Sequence, residues 1–186
     1  MKLFKTLVRF LVFALLAIAT SPASAAFNAY AELTLNGSAV TGDVSNPTVG
    51  GDDVSQNHIE IFEYRQNVSL DKTGTEVKVS PVTLLKKSDA ATPVFIQALI
   101  ENQTVEGVIK FYTVDRFTGA TKLDTTVGIV DGRIIAVKQR QPNVLDDDVA
   151  TLPNYELIKI EAAELIFTDV ESGSSASVTP TVLNPR

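Results

Sequence analysis

From Asn28 to Val170 the apolar residues of this chain come in short runs that alternate with polar ones, and clusters of Gly, Asn, Asp and Pro separate the runs. Alternation puts apolar side chains on one face of a strand and polar ones on the other, so the pattern predicts a mainly β chain with turns between strands. No cysteine occurs among the 186 residues. Disulfides, cysteine-zinc sites and thiol catalysis are thereby excluded, and stability has to come from an apolar core. A chain of this length is read as one domain built on one such core.

Residues 30–35 alternate and stop at Asn36-Gly37, a turn signal. Residues 38–56 read as a loop centred on Val49-Gly50-Gly51-Asp52-Asp53, and its length predicts a mobile or functional element that orders against a partner. Residues 59–70 read as one strand buried on both sides near its start, with Ile59, Ile61 and Glu63 on one side and Glu60, Phe62 and Tyr64 on the other. Further strands are expected at 77–85 and 105–114, the second ending in a turn at 115–119. Asp131-Gly132 lies between residues 123–130 and 133–137, where it predicts a hairpin. Residues 155–170 form a last long β region with Leu157, Ile160, Leu165 and Phe167 in the core and a bulge or bend at Ala162-Ala163.

One segment breaks the β pattern. Thr92 as N-cap, Pro93 at the first helical position and Asn102 as a left-handed stop predict a short helix over 92–102. Phe95, Ile96, Leu99 and Ile100 fall on one side of it.

At the N-terminus Lys2, Lys5 and Arg9 precede an apolar run over 10–19, and Ala23-Ser24-Ala25 follows. These features predict a signal peptide over 1–25, cleaved after Ala25, with export to the periplasm or the exterior. The competing reading is an uncleaved anchor, for which the run is short and broken by Ser21-Pro22. No later segment approaches a membrane span, so the mature form is expected to be soluble and free of membrane. Cleavage removes three of the 16 Lys and Arg and none of the 22 Asp and Glu, taking the net charge from −6 to −9. Nucleic acid is a poor partner for such a chain, because Lys and Arg supply most of that affinity.

Several stretches, taken together, resemble the haemolysin-coregulated protein family, Hcp, the tube subunits of type VI secretion systems. They are Ala31-Glu32-Leu33-Thr34-Leu35-Asn36-Gly37, Ile59-Glu60-Ile61-Phe62-Glu63-Tyr64, the approach to the helix from Val79 through Lys86-Lys87-Ser88-Asp89-Ala90-Ala91-Thr92-Pro93, Gly107-Val108-Ile109-Lys110-Phe111-Tyr112 and Tyr155-Glu156-Leu157-Ile158-Lys159-Ile160. The resemblance implies a compact barrel of two packed antiparallel β-sheets with one flanking helix, here over 26–172. It also implies hexameric rings that stack into a hollow tube, a lumen that shelters small effector proteins, and no chemistry by the ring itself. The signal peptide is a departure, since the family's tube subunits reach their apparatus from the cytoplasm. Residues 173–186, rich in Ser, Gly and Pro, are expected to form a flexible tail.

Motifs that suggest chemistry have simpler readings. Asp71-Lys72-Thr73-Gly74-Thr75 matches the phosphorylated-aspartate motif of P-type pumps, but Glu76 replaces the apolar residue expected next, and the pentapeptide reads as a turn. His58 is the only histidine and no Gly-x-Ser-x-Gly elbow occurs, so it reads as a surface or strand-edge residue, not a triad member. Asp52-Asp53 and Asp146-Asp147-Asp148 lack the alternating spacing of a calcium loop. Lys86, Lys87, Lys110 and Arg116 are read as pairing with acids of the same or a neighbouring subunit. No catalytic, metal-binding or cofactor-binding residue is assigned. The sequence therefore predicts an exported, non-enzymatic structural protein that assembles with itself. The alternative is a carrier or binding module, acting as monomer or single ring, that holds another exported protein through the loop at 38–56.

Overall fold

The computed structural model describes residues 28–115, 117–143, 145 and 153–180. The signal peptide expected over 1–25, Arg116, Asp146-Asp147-Asp148 and residues 181–186 lie outside the described residues.

The alternation becomes strands β1 (Asn28–Leu35), β2 (Ser38–Ala39), β3 (Thr48–Val49), β4 (Asp52–Asp53), β5 (Ile59–Ile61), β6 (Glu63–Arg65), β7 (Val68–Leu70), β8 (Val77–Val79) and β9 (Val82–Lys87), the helix α1 (Thr92–Ile100), then β10 (Thr104–Val114), β11 (Thr121–Arg140), β12 (Tyr155–Glu161), β13 (Glu164–Asp169) and β14 (Ser175–Val178). Ten of the strands form one antiparallel sheet whose main path runs β2-β1-β10-β11-β12-β9-β6, with β5 on β1 and β13-β14 on the first half of β11. β3-β4 and β7-β8 are separate two-stranded ribbons. Leu33, Ile59, Leu84, Ile109, Ile129, Ile158, Ile160 and Leu165, drawn from strands all along the sheet, belong to one buried core. The sheet is therefore bent over on itself, and Phe95 and Ala98 of α1 pack into the same core.

The predicted hairpin at Asp131-Gly132 is not formed, and β11 runs through both residues without reversing. The register of β10 against β11 shifts between Val105↔Gly132 and Gly107↔Ile129, so two β11 residues face one on β10. Asp131 adopts φ 45° there, which means the left-handed conformation that such a dipeptide offers a turn is spent on a bulge. The bulge is a corner: before it β11 pairs with β13, and after it with β12. The break expected at Ala162-Ala163 lies opposite, where Ala163 N–H donates to the Val130 carbonyl at 3.1 Å. Both strands thus bend together, and Gly132 is needed because a Cβ would sit 3.0 Å from Ile129 and from Ile160.

Residues 59–70 likewise form three short strands in place of one. β5 pairs with β1 and β6 with β9, while Phe62 between them donates its N–H to the Leu85 carbonyl at 2.8 Å. The slip at Phe62 reverses the alternation, so that Tyr64 joins Ile59 and Ile61 against the core and stacks edge-on against Phe111 at 5.1 Å. The 77–85 strand is also split, with β8 on β7 and β9 on β12. In the last β region Ile160 and Leu165 are buried and Phe167 packs against the core, but Leu157 faces outward, because Ile158 and Ile160 already take the inner row. The C-terminal segment read as a flexible tail contains β14, paired with β13 from Thr168↔Ser175 to Leu165↔Val178. Val178 supplies its one apolar anchor against the core.

The helix begins one position from the expected cap. Ala91 is the N-cap and makes no side-chain capping bond. Asn102 closes the helix at φ 52°, the left-handed stop that was anticipated. Phe95 and Ala98 form the buried stripe and Ile100 is exposed, so the apolar face is narrower than the four residues suggested.

The long loop over 38–56 is packed, not free. Val49 and Val54 close over Tyr30 and Tyr112 in a second small core, the two rings meeting edge to face at 5.9 Å. Burial and the adjacent Asp52 carboxylate raise the Tyr112 phenol, which donates to Asp52 Oδ2 at 2.6 Å. Tyr112→Phe keeps the ring and removes this bond, at an expected cost of about 2 kcal/mol. The loss should appear as faster amide hydrogen exchange over residues 49–54 than elsewhere.

Candidate functional site

Polar residues occupy core positions at one place. On β9, Lys86 follows Val82 and Leu84 on the inward row, and on β12, Glu156 precedes Ile158 and Ile160 on theirs. The two residues are register partners across the β9-β12 ladder, and Lys86 and Glu156 are 1 % and 0 % exposed. The Lys86 ammonium has three acceptors: the Lys87 carbonyl at 2.6 Å, Asp89 Oδ1 at 2.7 Å and Glu156 Oε1 at 2.8 Å. Phe95 of α1 caps it, its ring centroid 5.9 Å from Nζ.

Asp89 and Thr92 complete the cluster. Asp89 Oδ1 also accepts Ala91 N–H at 2.9 Å, which explains how the helix start manages without a side-chain cap from its own N-cap residue. Asp89 Oδ2 accepts Asp43 N–H at 2.9 Å and so ties down the long loop. Thr92 Oγ1 accepts Asp89 N–H at 3.0 Å and donates to Glu156 Oε1 at 3.1 Å. Glu156 Oε2 is buried with no hydrogen-bond partner among the described residues. One cation and two carboxylates thus join β9, β12, α1 and the 38–56 loop at a point water does not reach. Such a cluster is suited to fixing the fold and not to turning over a substrate.

Lys87 and Lys110 are paired within the chain too. Lys87 lies 3.7 Å from Asp43 and Lys110 3.0 Å from Glu32. Lys86 to Lys110 therefore form no common basic patch, and charge reversal at Lys86 probes folding before assembly.

His58 is buried at 7 % exposure, in contrast to the surface or edge position expected. Its Nδ1 donates to the Gln56 carbonyl at 2.7 Å, which leaves Nε2 facing Lys110 Nζ at 3.4 Å and Glu32 Oε2 at 3.7 Å. No serine is among its polar contacts, so the geometry of a hydrolase triad is not assembled. Asp71 accepts from the Thr73 hydroxyl at 2.5 Å and from Thr75 and Glu76 N–H at 2.9 and 3.2 Å. These bonds hold its carboxyl down to about 2, and they commit it to the turn between β7 and β8. Asp52 is engaged by Tyr112, and Asp53 accepts Ser55 N–H at 2.9 Å. Among the described residues no group of three or more His, Asp or Glu is placed to hold a metal ion.

Among the described residues an apolar groove of about 560 Å³ lies on the outer face of β9, β12 and the end of β11. Phe62, Leu85, Pro153, Tyr155 and Leu157 line it, together with the ion-paired Glu63 and Arg65 and with Arg140. Arg140 lies 6.0 Å over the Tyr155 ring. The sequence alone puts Leu157 in the core and Phe62 on a separate strand, so the groove was invisible until the strands were placed in register.

No family model and no curated protein matches the sequence. Solved structures do. A crystal structure of an Hcp protein superposes with a TM-score of 0.68 at 14 % identity, covering 83 % of this chain and 98 % of that one. The secreted protein Hcp3 from Pseudomonas aeruginosa gives 0.64 at 16 % identity, covering 84 % and 100 %. A type VI secretion system effector from Yersinia pestis gives 0.56 at 15 % identity, covering 81 % and 98 %. The chain has the Hcp fold. No helix among the described residues is long and apolar enough to cross a membrane.

Proposed function

We propose, from this Hcp fold, that the chain is an exported, non-enzymatic structural protein that assembles with itself into hexameric rings, which stack into tubes. The observation that carries the reading is a likeness covering more than four-fifths of this chain and nearly the whole of each Hcp chain compared. The N-terminal signal pattern adds that assembly takes place after export, outside the cytoplasm. An unreactive role is supported by the chemistry of the polar residues: the one histidine is buried beside a lysine and a glutamate, and the buried charge cluster is closed to solvent.

The carrier reading drew on a loop free to order on a partner, and that loop is closed over Tyr30 and Tyr112. Assembly is accordingly the better supported reading. Light scattering on the exported protein over a concentration series tests it, with the mass expected to rise to six times that of the cleaved chain. A mass that stays at one chain throughout speaks against assembly, and retention of residues 1–25 in the exported product speaks against cleavage.

A further inference from the structure

At the tip of the β10-β11 hairpin, Phe117 is 99 % exposed. The turn presenting it is hydrogen-bonded: Asp115 Oδ1 accepts Phe117 N–H at 2.9 Å, Thr118 N–H at 2.7 Å and the Thr118 hydroxyl at 2.9 Å. An aromatic side chain held wholly in water on a preorganised turn is the form of a docking anchor. Its surroundings are acidic. Asp115, Asp124, Asp169 and Glu171 gather at this end, where Thr125 pairs with Asp169 and Val170 N–H reaches the Asp124 carbonyl. Lys122 there is already paired with Glu171 at 2.7 Å, and Arg116 adds one positive charge in the sequence.

The outer-face groove has the opposite character. Its floor is apolar, and Lys138, Arg140 and Lys159 lie on the outward row of β11 and β12 with Leu157. None of these three cations has an ion-pair partner among the described residues. Lys138, Arg140 and Lys159 outnumber Glu63 and Glu161 on this face of a chain of net charge −6, so the face is opposite in sign to the acidic hairpin end.

We infer that Phe117 of one copy docks in the Leu157–Tyr155 groove of the next, with the acidic hairpin end facing Lys138, Arg140 and Lys159. The inference rests on the assembly reading and names its contact. Knob and groove are different patches of one chain, so the contact is head-to-tail and closes into a ring when the rotation between copies allows.

The absence of native cysteine makes cross-linking a clean test. Full-length Phe117→Cys and Leu157→Cys proteins, mixed after export and oxidised, are expected to give a disulfide-linked dimer that neither gives alone. Phe117→Ser is expected to raise the concentration for half-assembly about tenfold or more with an unchanged monomer fold, since the side chain makes no buried contact, and high salt is expected to weaken assembly. If the unmodified protein assembles while the mixture fails to cross-link and Phe117→Ser assembles normally, this contact is wrong and the assembly reading stands. If the unmodified protein stays monomeric, both are wrong.

Discussion

Lys86→Met is expected to lower the folding free energy by about 3–5 kcal/mol, the range for removing one partner of a buried ion pair. Met fills most of the lysine stem's volume against Phe95, so the loss is electrostatic and not a cavity. Asp89 Oδ1 and Glu156 Oε1, both aimed at Nζ at 2.7 and 2.8 Å, would be left as two buried carboxylates without their shared cation. Lys86→Met with Glu156→Leu removes cation and anion together and should recover most of the loss. Asp89 is kept in that double variant because it also serves Ala91 and Asp43. Urea denaturation of the three proteins checks this. A single variant as stable as the parent, or a double variant no better than the single one, would show that the cluster does not hold the fold.

Gly107→Ala is the second large effect. Gly107 sits in β10 at φ 151°, opposite Leu33 of β1. A Cβ there would lie 2.1 Å from the Glu32 carbonyl oxygen and 2.9 Å from Leu33 Cα. Both are backbone atoms of a paired strand, so no rotamer change relieves the overlap and β1 itself must shift. The expected cost is about 3 kcal/mol, with loss of soluble protein if the shift propagates to β5. Gly119→Ala is the control: it too has positive φ, but nothing lies within 4 Å, and about 1 kcal/mol is expected from backbone strain alone. Equal melting curves for the two variants would mean that close strand approach at Gly107 is not limiting.

These two positions also show what was legible in the sequence. The strands, the helix that begins at Thr92-Pro93 and the break at Ala162-Ala163 follow from local pattern, because period and turn chemistry act over a few residues. Asp131-Gly132 was misread because the same left-handed conformation serves a hairpin and a bulge, and only the pairing of β10 with β11 on both sides of the dipeptide decides between them. Tyr64 was placed on the wrong face because the slip at Phe62 changes the alternation without a marker in the sequence, and Leu157 because the adjoining Ile158 and Ile160, not Leu157, hold the inner row of a regular strand. Lys86 was expected to pair with an acid, but its burial and its partner Glu156 were not legible, although each ends an inward row of apolar residues, since their pairing spans 70 positions. The groove likewise depends on register between strands distant in sequence. Val178 shows the converse, as one apolar residue in a polar segment was enough to seat an edge strand.

Electron microscopy of the full-length protein's exported form, in negative stain over a concentration series, tests the central claim most directly. The account predicts closed rings with six copies around an open centre, some of them stacked end to end. Single-chain particles at every concentration would contradict it, and would leave the Hcp fold in place without the assembly proposed for it.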